Sequence, residues 1–472
     1  MFVVIDSGSK VLVLGLDGGS PLLVDRWIEE LPSFRKFRDE GVFGLSVPPI
    51  PAQTPVAWTT FMTGKNPGKH GVFSFIQRET GTYERRIASP EAVKSSNLWQ
   101  ILSGAGRRVG VLNVPMSSYD GVNGFMIPGF LDRLEGVPQP QSLRMNIKSK
   151  FGLDLIPGDV ETEVLSKAKS EPDLLLDRIF EITEILAEVS LYLVEREEWD
   201  FFMTVFMGTD RIGHFFWKYA DGNHSEYTLN EFSERFREYY RLMDDIISQF
   251  LEVIPEETVV VLVSDHGFCP VSREVYLNNY LQELGYLETA NGKVNLEESK
   301  AVARGFGDIW LNVKGREPHG VLEWGSTYEE VVGNIIESLE ELRIDGEKPI
   351  QEVVRREEVY WGPYVAEAPD LLAVFNPGWQ SARRPEIIER RIDRRYINDD
   401  PMWCGGHDGT HNPQEVPGIL GFLGPNLIED HLPLRAHLWD LAPTILEVMN
   451  VPIPKDMDGK SLPIFKQRNL GK

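Results

Sequence analysis

The sequence predicts an α/β fold, an open and mostly parallel sheet with helices on both faces. Three observations predict it. Short continuous apolar runs recur along the chain, amphipathic helical stripes lie between them, and the two alternate. Continuous rather than alternating apolar runs are what strands covered on both faces require. With 472 residues, a prior of roughly 150 residues per domain gives about three domain-equivalents, or one large core with insertions.

The expected strands are Val11–Leu16, Val109–Val114, Phe201–Phe206, Thr258–Val263, Leu371–Phe375 and Gly418–Leu423. Thr54 followed by Pro55 reads as a helix start, with Thr at the N-cap and Pro at the first helical position. Leu175, Ile179, Ile182, Leu186, Val189 and Leu193 form one helical stripe, and Phe232, Phe236, Tyr239, Met243, Ile246 and Phe250 form a second. Residues 130–172 show no clear period. Residues 276–360 hold small mixed elements and the amphipathic set Val331, Ile335, Leu339 and Leu342. The expected organisation is a discontinuous core of residues 11–129, 173–275 and 361–465, with an insertion at 130–172 and a cap at 276–360.

Composition narrows the function. Hydrophobic residues make up 42% of the chain, enough for a sizeable core and too many for wholesale disorder. The net charge is −24, from 48 basic and 72 acidic side chains. That balance disfavours sequence-independent binding to nucleic acid or anionic membranes, which needs a basic surface. Two cysteines, Cys269 and Cys404, cannot build a disulfide framework or a four-cysteine zinc site. The start lacks the basic and apolar pattern of a signal peptide, and no apolar run approaches roughly 18 residues. A cytoplasmic protein without a membrane span is expected.

In open α/β sheets, ligands bind beyond the carboxyl ends of the strands. Asp17 follows the first run, Asp210 and His214 follow Phe201–Phe206, and Asp265 and His266 follow Thr258–Val263. A lone Asp after a strand is usually a turn former or a cap. Three aspartates converging on one edge repel unless cations hold them. With histidines added, the donor set suits zinc or a similar ion. Asp210 and His214 have i,i+4 spacing, so both face one ion on a helix or in a tight loop. Asp265 and His266 are adjacent, and a turn at the strand end lets them serve one ion or two. His407 and His411 stand in the late glycine-rich stretch CGGHDGTHNP. Thr54 at a helix N-terminus sits where phosphate also binds well, although a purely capping role explains it equally. The P-loop matches fail, and no GxGxxG follows a strand, which demotes nucleotide-driven motors and nicotinamide enzymes.

In this order the motifs resemble the alkaline phosphatase superfamily, and within it the type I phosphodiesterase/nucleotide pyrophosphatase branch. The motifs are Asp17 after the first strand, Thr54 ahead of Thr63-Gly64 and Pro67-Gly68-Lys69-His70-Gly71, then DxxxH, SDHG, GTH and a closing LWDLAPTILEVMNVPIPKDMDGKSL. The resemblance spans Val11 to about Leu462. It implies an alkaline-phosphatase-like three-layer sandwich with inserted cap segments and two divalent metal ions, zinc first, with manganese or iron as alternatives. One ion would take Asp17, Asp265, His266 and the Thr54 oxygen. The other would take Asp210, His214 and His411, with His407 in reserve. Thr54 would be the nucleophile, forming a phospho-threonine intermediate on a small phosphorylated substrate. The sequence departs from the branch where an Asn should contact a phosphate oxygen: Ser74 and Phe75 stand there. Lys65, Lys69 and Asn113 are the candidate substitutes. A phosphomutase or monoesterase of the same superfamily is the second enzyme reading, and a metal-stabilised binding protein without turnover the third. His224, His319, His431 and His437, and tryptophans such as Trp58 and Trp403, read as surface or packing residues.

Overall fold

The computed structural model describes residues 9–79, 81–291, 293–382, 396–407, 411–428 and 434–466. Its main sheet has eight strands: β1 (Val11–Leu16), β2 (Val42–Val47), β3 (Val109–Leu112), β4 (Gly124–Ile127), β5 (Phe201–Phe206), β6 (Val259–Val263), β7 (Gly418–Leu423) and β8 (Leu434–His437). Their order is β8-β2-β7-β6-β1-β5-β3-β4. All pairings are parallel except those of β7 with β2 and β6. The mostly parallel sheet is as expected, but Val42–Val47, Gly124–Ile127 and Leu434–His437 are not among the expected strands, and an apolar pattern does not carry the reversed direction of β7.

Side chains alternate across each strand, so one run feeds two cores. Leu12, Leu14 and Leu16 enter one core together with Phe202, Phe206 and Leu262. Val11 and Val13 enter the other, with Met203, Val205 and Val261. The first core is closed by helices Pro172–Arg196 and Glu231–Val253, which bury the two predicted stripes through Leu175, Ile179, Phe236 and Met243. The second is closed by helices Thr54–Thr63, Leu98–Gly104 and Leu441–Val448, through Trp58, Phe61, Trp99 and Ile445. The result is helix layer, sheet, helix layer, an alkaline-phosphatase-like architecture.

Leu371–Phe375 is a strand but not of this sheet. It lies in a separate four-stranded sheet between Asp308–Leu311 and Ile350–Arg355, antiparallel to both, with Ala301–Ala303 at the far edge. Helix Ser326–Glu341 covers one face through Val331, Ile335 and Leu339. Leu372 packs on Phe73, Tyr360 and Ala368 on the other. Burial on both faces makes this antiparallel strand read as continuously apolar as a parallel one. The segment 130–172 carries helices Gln141–Phe151 and Thr162–Ser166 and packs Leu143, Ile147, Ile156 and Val160 into the first core. Among the described residues, no helix is long and apolar enough to cross a membrane.

Candidate active site

The parallel strands β1, β5 and β6 lie side by side, so their carboxyl ends open at one edge of the sheet. Asp17 follows β1, Asp265 and His266 follow β6, and Asp210 and His214 lie on helix Gly208–Phe216 directly after β5. All five are buried. Gly18 makes the approach possible. Its φ is +67°, and a Cβ there would stand 2.5 Å from the Phe268 ring and 3.0 Å from the Asp210 Cα. The Gly18 amide donates to Asp265 Oδ1 at 3.1 Å and ties two of the strand ends together.

Thr54 is the first residue of its helix and Gln53 is the N-cap, one position from the expected assignment. The Thr54 hydroxyl is therefore not spent on capping. It lies 3.4 Å from Asp17 Oδ1. The other Asp17 oxygen accepts the Trp58 indole N–H at 2.6 Å, so this tryptophan orients a carboxylate as well as filling the core.

The ligand atoms of Asp210, His214 and His407 lie within 4.8 Å of one another, as do those of Asp17, Asp210 and His266. His407 Nε2 is 3.2 Å from both Asp210 Oδ1 and His214 Nε2. His411 stands apart from both groups. The loop is registered by Gly405 and Gly406 pairing with Pro270 and Cys269, beside the Asp265-His266 turn, and this carries His407 into the cluster. His411 bridges Phe375 instead, and its Nε2 donates to the Trp379 carbonyl at 2.9 Å. His407, the reserve candidate, is thus the histidine that stands with Asp210 and His214. Gly409 and Thr410 of that motif, and His431, lie outside the described residues.

The imidazoles are set to bind a cation. His214 Nδ1 faces the Gly405 carbonyl at 2.9 Å, His407 Nδ1 the Ala52 carbonyl at 2.6 Å and His266 Nδ1 the Gly267 carbonyl at 3.2 Å. A carbonyl only accepts, so each Nδ1 carries a proton and each ring turns its Nε2 toward the carboxylates. His266 Nε2 and Asp265 Oδ2, 3.2 Å apart, have no hydrogen-bond partner among the described residues. Burial, and then the charge of Asp210, pushes the Asp17 carboxyl well above the ordinary range. Burial with the charge of Asp17 does the same to Asp265. Burial also opposes the charge on Asp210, but the His214 imidazole and the Arg211 guanidinium outweigh it and hold Asp210 well below. Three carboxylates this crowded are all ionised only when cations neutralise them. The donor set fits divalent metal.

Lys65, Lys69 and Asn113 do not reach the cluster. Lys69 pairs with Asp458 at 2.6 Å and Lys65 with Asp456, both on the C-terminal segment. Asn113 spends its amide on the carbonyls of Gly158 and Val205, each at 2.9 Å. The cation at the site is Arg211, which sequence reasoning passed over. Its Nη1 lies 2.7 Å from Asp210 Oδ2, and Asp159, from the 130–172 segment, grips it through Nε at 2.7 Å and through Nη2. Its adjacency to Asp210 was the only signal in the sequence.

Thr54, Asp210, Arg211 and His214 share a cavity of about 400 Å³ with Phe75, Phe130, Phe306 and Trp403. The Trp403 ring stacks on His214 with centroids 3.6 Å apart. The chamber therefore joins a polar floor that could hold metal to apolar walls.

The sequence profile of the type I phosphodiesterase/nucleotide pyrophosphatase family matches residues 11–403. Human ectonucleotide pyrophosphatase/phosphodiesterase 5 superposes with a TM-score of 0.57 at 13% identity, over 94% of this chain and 96% of that one. Phosphonoacetate hydrolase from Sinorhizobium meliloti 1021, in complex with phosphonoformate, superposes with a TM-score of 0.55 at 16% identity and the same coverage. A 2,3-bisphosphoglycerate-independent phosphoglycerate mutase from Agrobacterium fabrum is 46% identical over 63 residues, 13% of this chain and only 12% of the length of that relative. The match spans most of the chain, and the chain belongs to the type I phosphodiesterase/nucleotide pyrophosphatase family of the alkaline phosphatase superfamily.

Proposed function

We propose that this protein hydrolyses phosphate esters of small molecules, phosphodiesters or nucleotide pyrophosphates first, with Thr54 as nucleophile. The observation that carries the reading is the Thr54 hydroxyl beside Asp17, at the edge of a buried cluster whose histidines turn Nε2 toward carboxylates. Asp17, Asp265 and His266 with Thr54 would hold one divalent ion, and Asp210, His214 and His407 the other. Two such ions, zinc before manganese or iron on this mixed O/N donor set, supply Lewis acidity to the phosphoryl oxygens.

The residues of the chain divide the remaining work. Thr54 Oγ1 forms the bond to phosphorus as the ester P–O bond breaks, and the leaving oxygen departs with the rest of the substrate. Asp17 is the acceptor nearest the Thr54 proton. Arg211 has N–H groups beyond those given to Asp159 and Asp210, and these serve a non-bridging phosphoryl oxygen in place of the missing Asn. Water then cleaves the phospho-threonine, restoring Thr54 and releasing phosphate or a phosphomonoester. The apolar walls exclude bulk water and seat an apolar or aromatic leaving group.

Arg211 also favours the second reading, a monoesterase or mutase, because a guanidinium where the branch has a neutral amide suits a more highly charged phosphoryl group. Bis-p-nitrophenyl phosphate and p-nitrophenyl phosphate, each with and without chelator, separate the two. Faster chelator-sensitive turnover of the diester supports the first reading, and faster turnover of the monoester the second. No turnover of either, with metal present, refutes both.

A further inference from the structure

The acidic chain holds a knot of arginines beyond the catalytic cavity. Hairpin strands Ile76–Arg78 and Arg85–Ile87 pair Ile76 with Ile87 and Arg78 with Arg85. Ile76 and Ile87 line the cavity. Two residues further along the same face, about 7 Å away, stand Arg78 and Arg85. Arg304, next to the cap strand Ala301–Ala303 and only 7% exposed, closes the group.

Its charges are not balanced. Glu317 is the carboxylate in contact with Arg78, at 2.6 Å, and it also serves Arg316 at 2.8 Å and the Val313 amide at 2.7 Å. Neither Arg85 nor Arg304 has a carboxylate within ion-pair distance among the described residues. Arg304 Nε and Arg78 Nη2 are buried without a hydrogen-bond partner there. Burial, then the charges of Arg85 and Arg78, pushes the Arg304 guanidinium down to about 10. Arg304 Nη1 reaches the Tyr83 carbonyl at 3.4 Å, but burying a guanidinium without a carboxylate partner is costly, and a fold with 72 acidic side chains had ample means to neutralise it. Groups so arranged are matched by an oxyanion that accepts several N–H bonds at once.

We propose that Arg78, Arg85 and Arg304 form a second anion-binding site, at the outer rim of the catalytic cavity, that takes a phosphate-class anion. The anion is either free phosphate or a second phosphate borne by an extended substrate whose apolar middle lies against Ile76, Ile87 and Phe306. The site itself stands without the catalytic reading, and only the kinetic comparison below rests on it.

The test is calorimetric titration of inorganic phosphate into the full-length, metal-loaded protein. Arg304→Met should lose one binding event seen in the wild type, and Arg304→Lys should keep it at roughly tenfold weaker affinity. Arg85→Ser, an exposed change that spares the fold, should weaken the same event about threefold. Equal stoichiometry and affinity in wild type and Arg304→Met, with matching thermal melts, overturns the proposal, as does an unchanged event in Arg85→Ser should Arg304→Met fail to fold. Under the catalytic reading His407→Ala removes a different phosphate event. If it removes none, that reading fails and this one is untouched. Kinetics then identify the source. A KM advantage of hydroquinone bisphosphate over phenyl phosphate that disappears in Arg304→Met assigns the site to substrate. Relief of product inhibition alone assigns it to free phosphate. An equal loss of turnover on both substrates contradicts a separate site.

Discussion

His214 Nε2 and His407 Nε2 face each other at 3.2 Å. With each Nδ1 proton committed to a backbone carbonyl, the two rings turn like nitrogen atoms on one another. Such pairs repel in a buried site unless a cation lies between them and the neighbouring Asp210 carboxylate. The relationship joins residues 193 positions apart, and it places His407 of the CGGHDGTH stretch, and not His411, beside Asp210 and His214.

Replacing His407 by Ala should therefore remove about one metal ion per chain and most of the activity, while His411→Ala should keep both ions. Elemental analysis of the purified variants reads the difference directly. Metal loss in His411→Ala with full loading in His407→Ala would reverse the assignment.

Thr54→Ala should lower kcat by at least about a thousandfold, since it removes the attacking atom itself. Stability should change by no more than about 1 kcal/mol, because Gln53 rather than Thr54 occupies the cap position and the hydroxyl makes one long contact with Asp17. Steady-state kinetics together with thermal melts separate the two effects. Activity near the wild-type level in a folded Thr54→Ala protein rules out the phospho-threonine route.

Arg211→Met should cost roughly a hundred- to a thousandfold in kcat/KM, the range for losing one preorganised donor to a developing phosphoryl charge. It should also destabilise the fold, because the carboxylate of Asp159, 8% exposed, loses its bidentate partner. Arg211→Lys keeps the charge but not the two-pronged grip and should fall between. Phosphate-ester kinetics with a denaturant titration check both parts.

Asp308 gives a pH dependence of stability apart from the metal cluster. It is buried at the start of strand Asp308–Leu311, one of its oxygens has no hydrogen-bond partner among the described residues, and burial pushes its carboxyl up to about 7. A carboxyl whose folded value is raised contributes stability below its unfolded value near 3.8 and loses it as pH rises through about 7. Asp308→Asn should therefore raise the melting temperature more at pH 8 than at pH 5. Melting curves at the two pH values test this, and an equal shift at both would show that the carboxyl is ionised throughout.

Much of the sheet was legible because buried parallel strands must be apolar on both faces. Val11–Leu16, Phe201–Phe206 and Val259–Val263 all read that way and end at Asp17, the Asp210 helix and Asp265. Pattern alone could not place Leu371–Phe375, since an antiparallel strand sandwiched between helix Ser326–Glu341 and Tyr360 is just as apolar. Nor could it show which of His407 and His411 stands beside Asp210 and His214, which follows from the pairing of Gly405 and Gly406 with Pro270 and Cys269. Arg211 stayed hidden because its role depends on Asp159, a partner 52 residues away in a segment without readable period.

The most direct test of the account is a crystal of the metal-loaded protein measured at and just below the metal absorption edge. Two anomalous peaks are expected, one ligated by Asp210, His214 and His407 and the other by Asp17, Asp265 and His266, with the Thr54 hydroxyl beside the second. A cluster without anomalous signal, or a peak at His411 in place of His407, would contradict it.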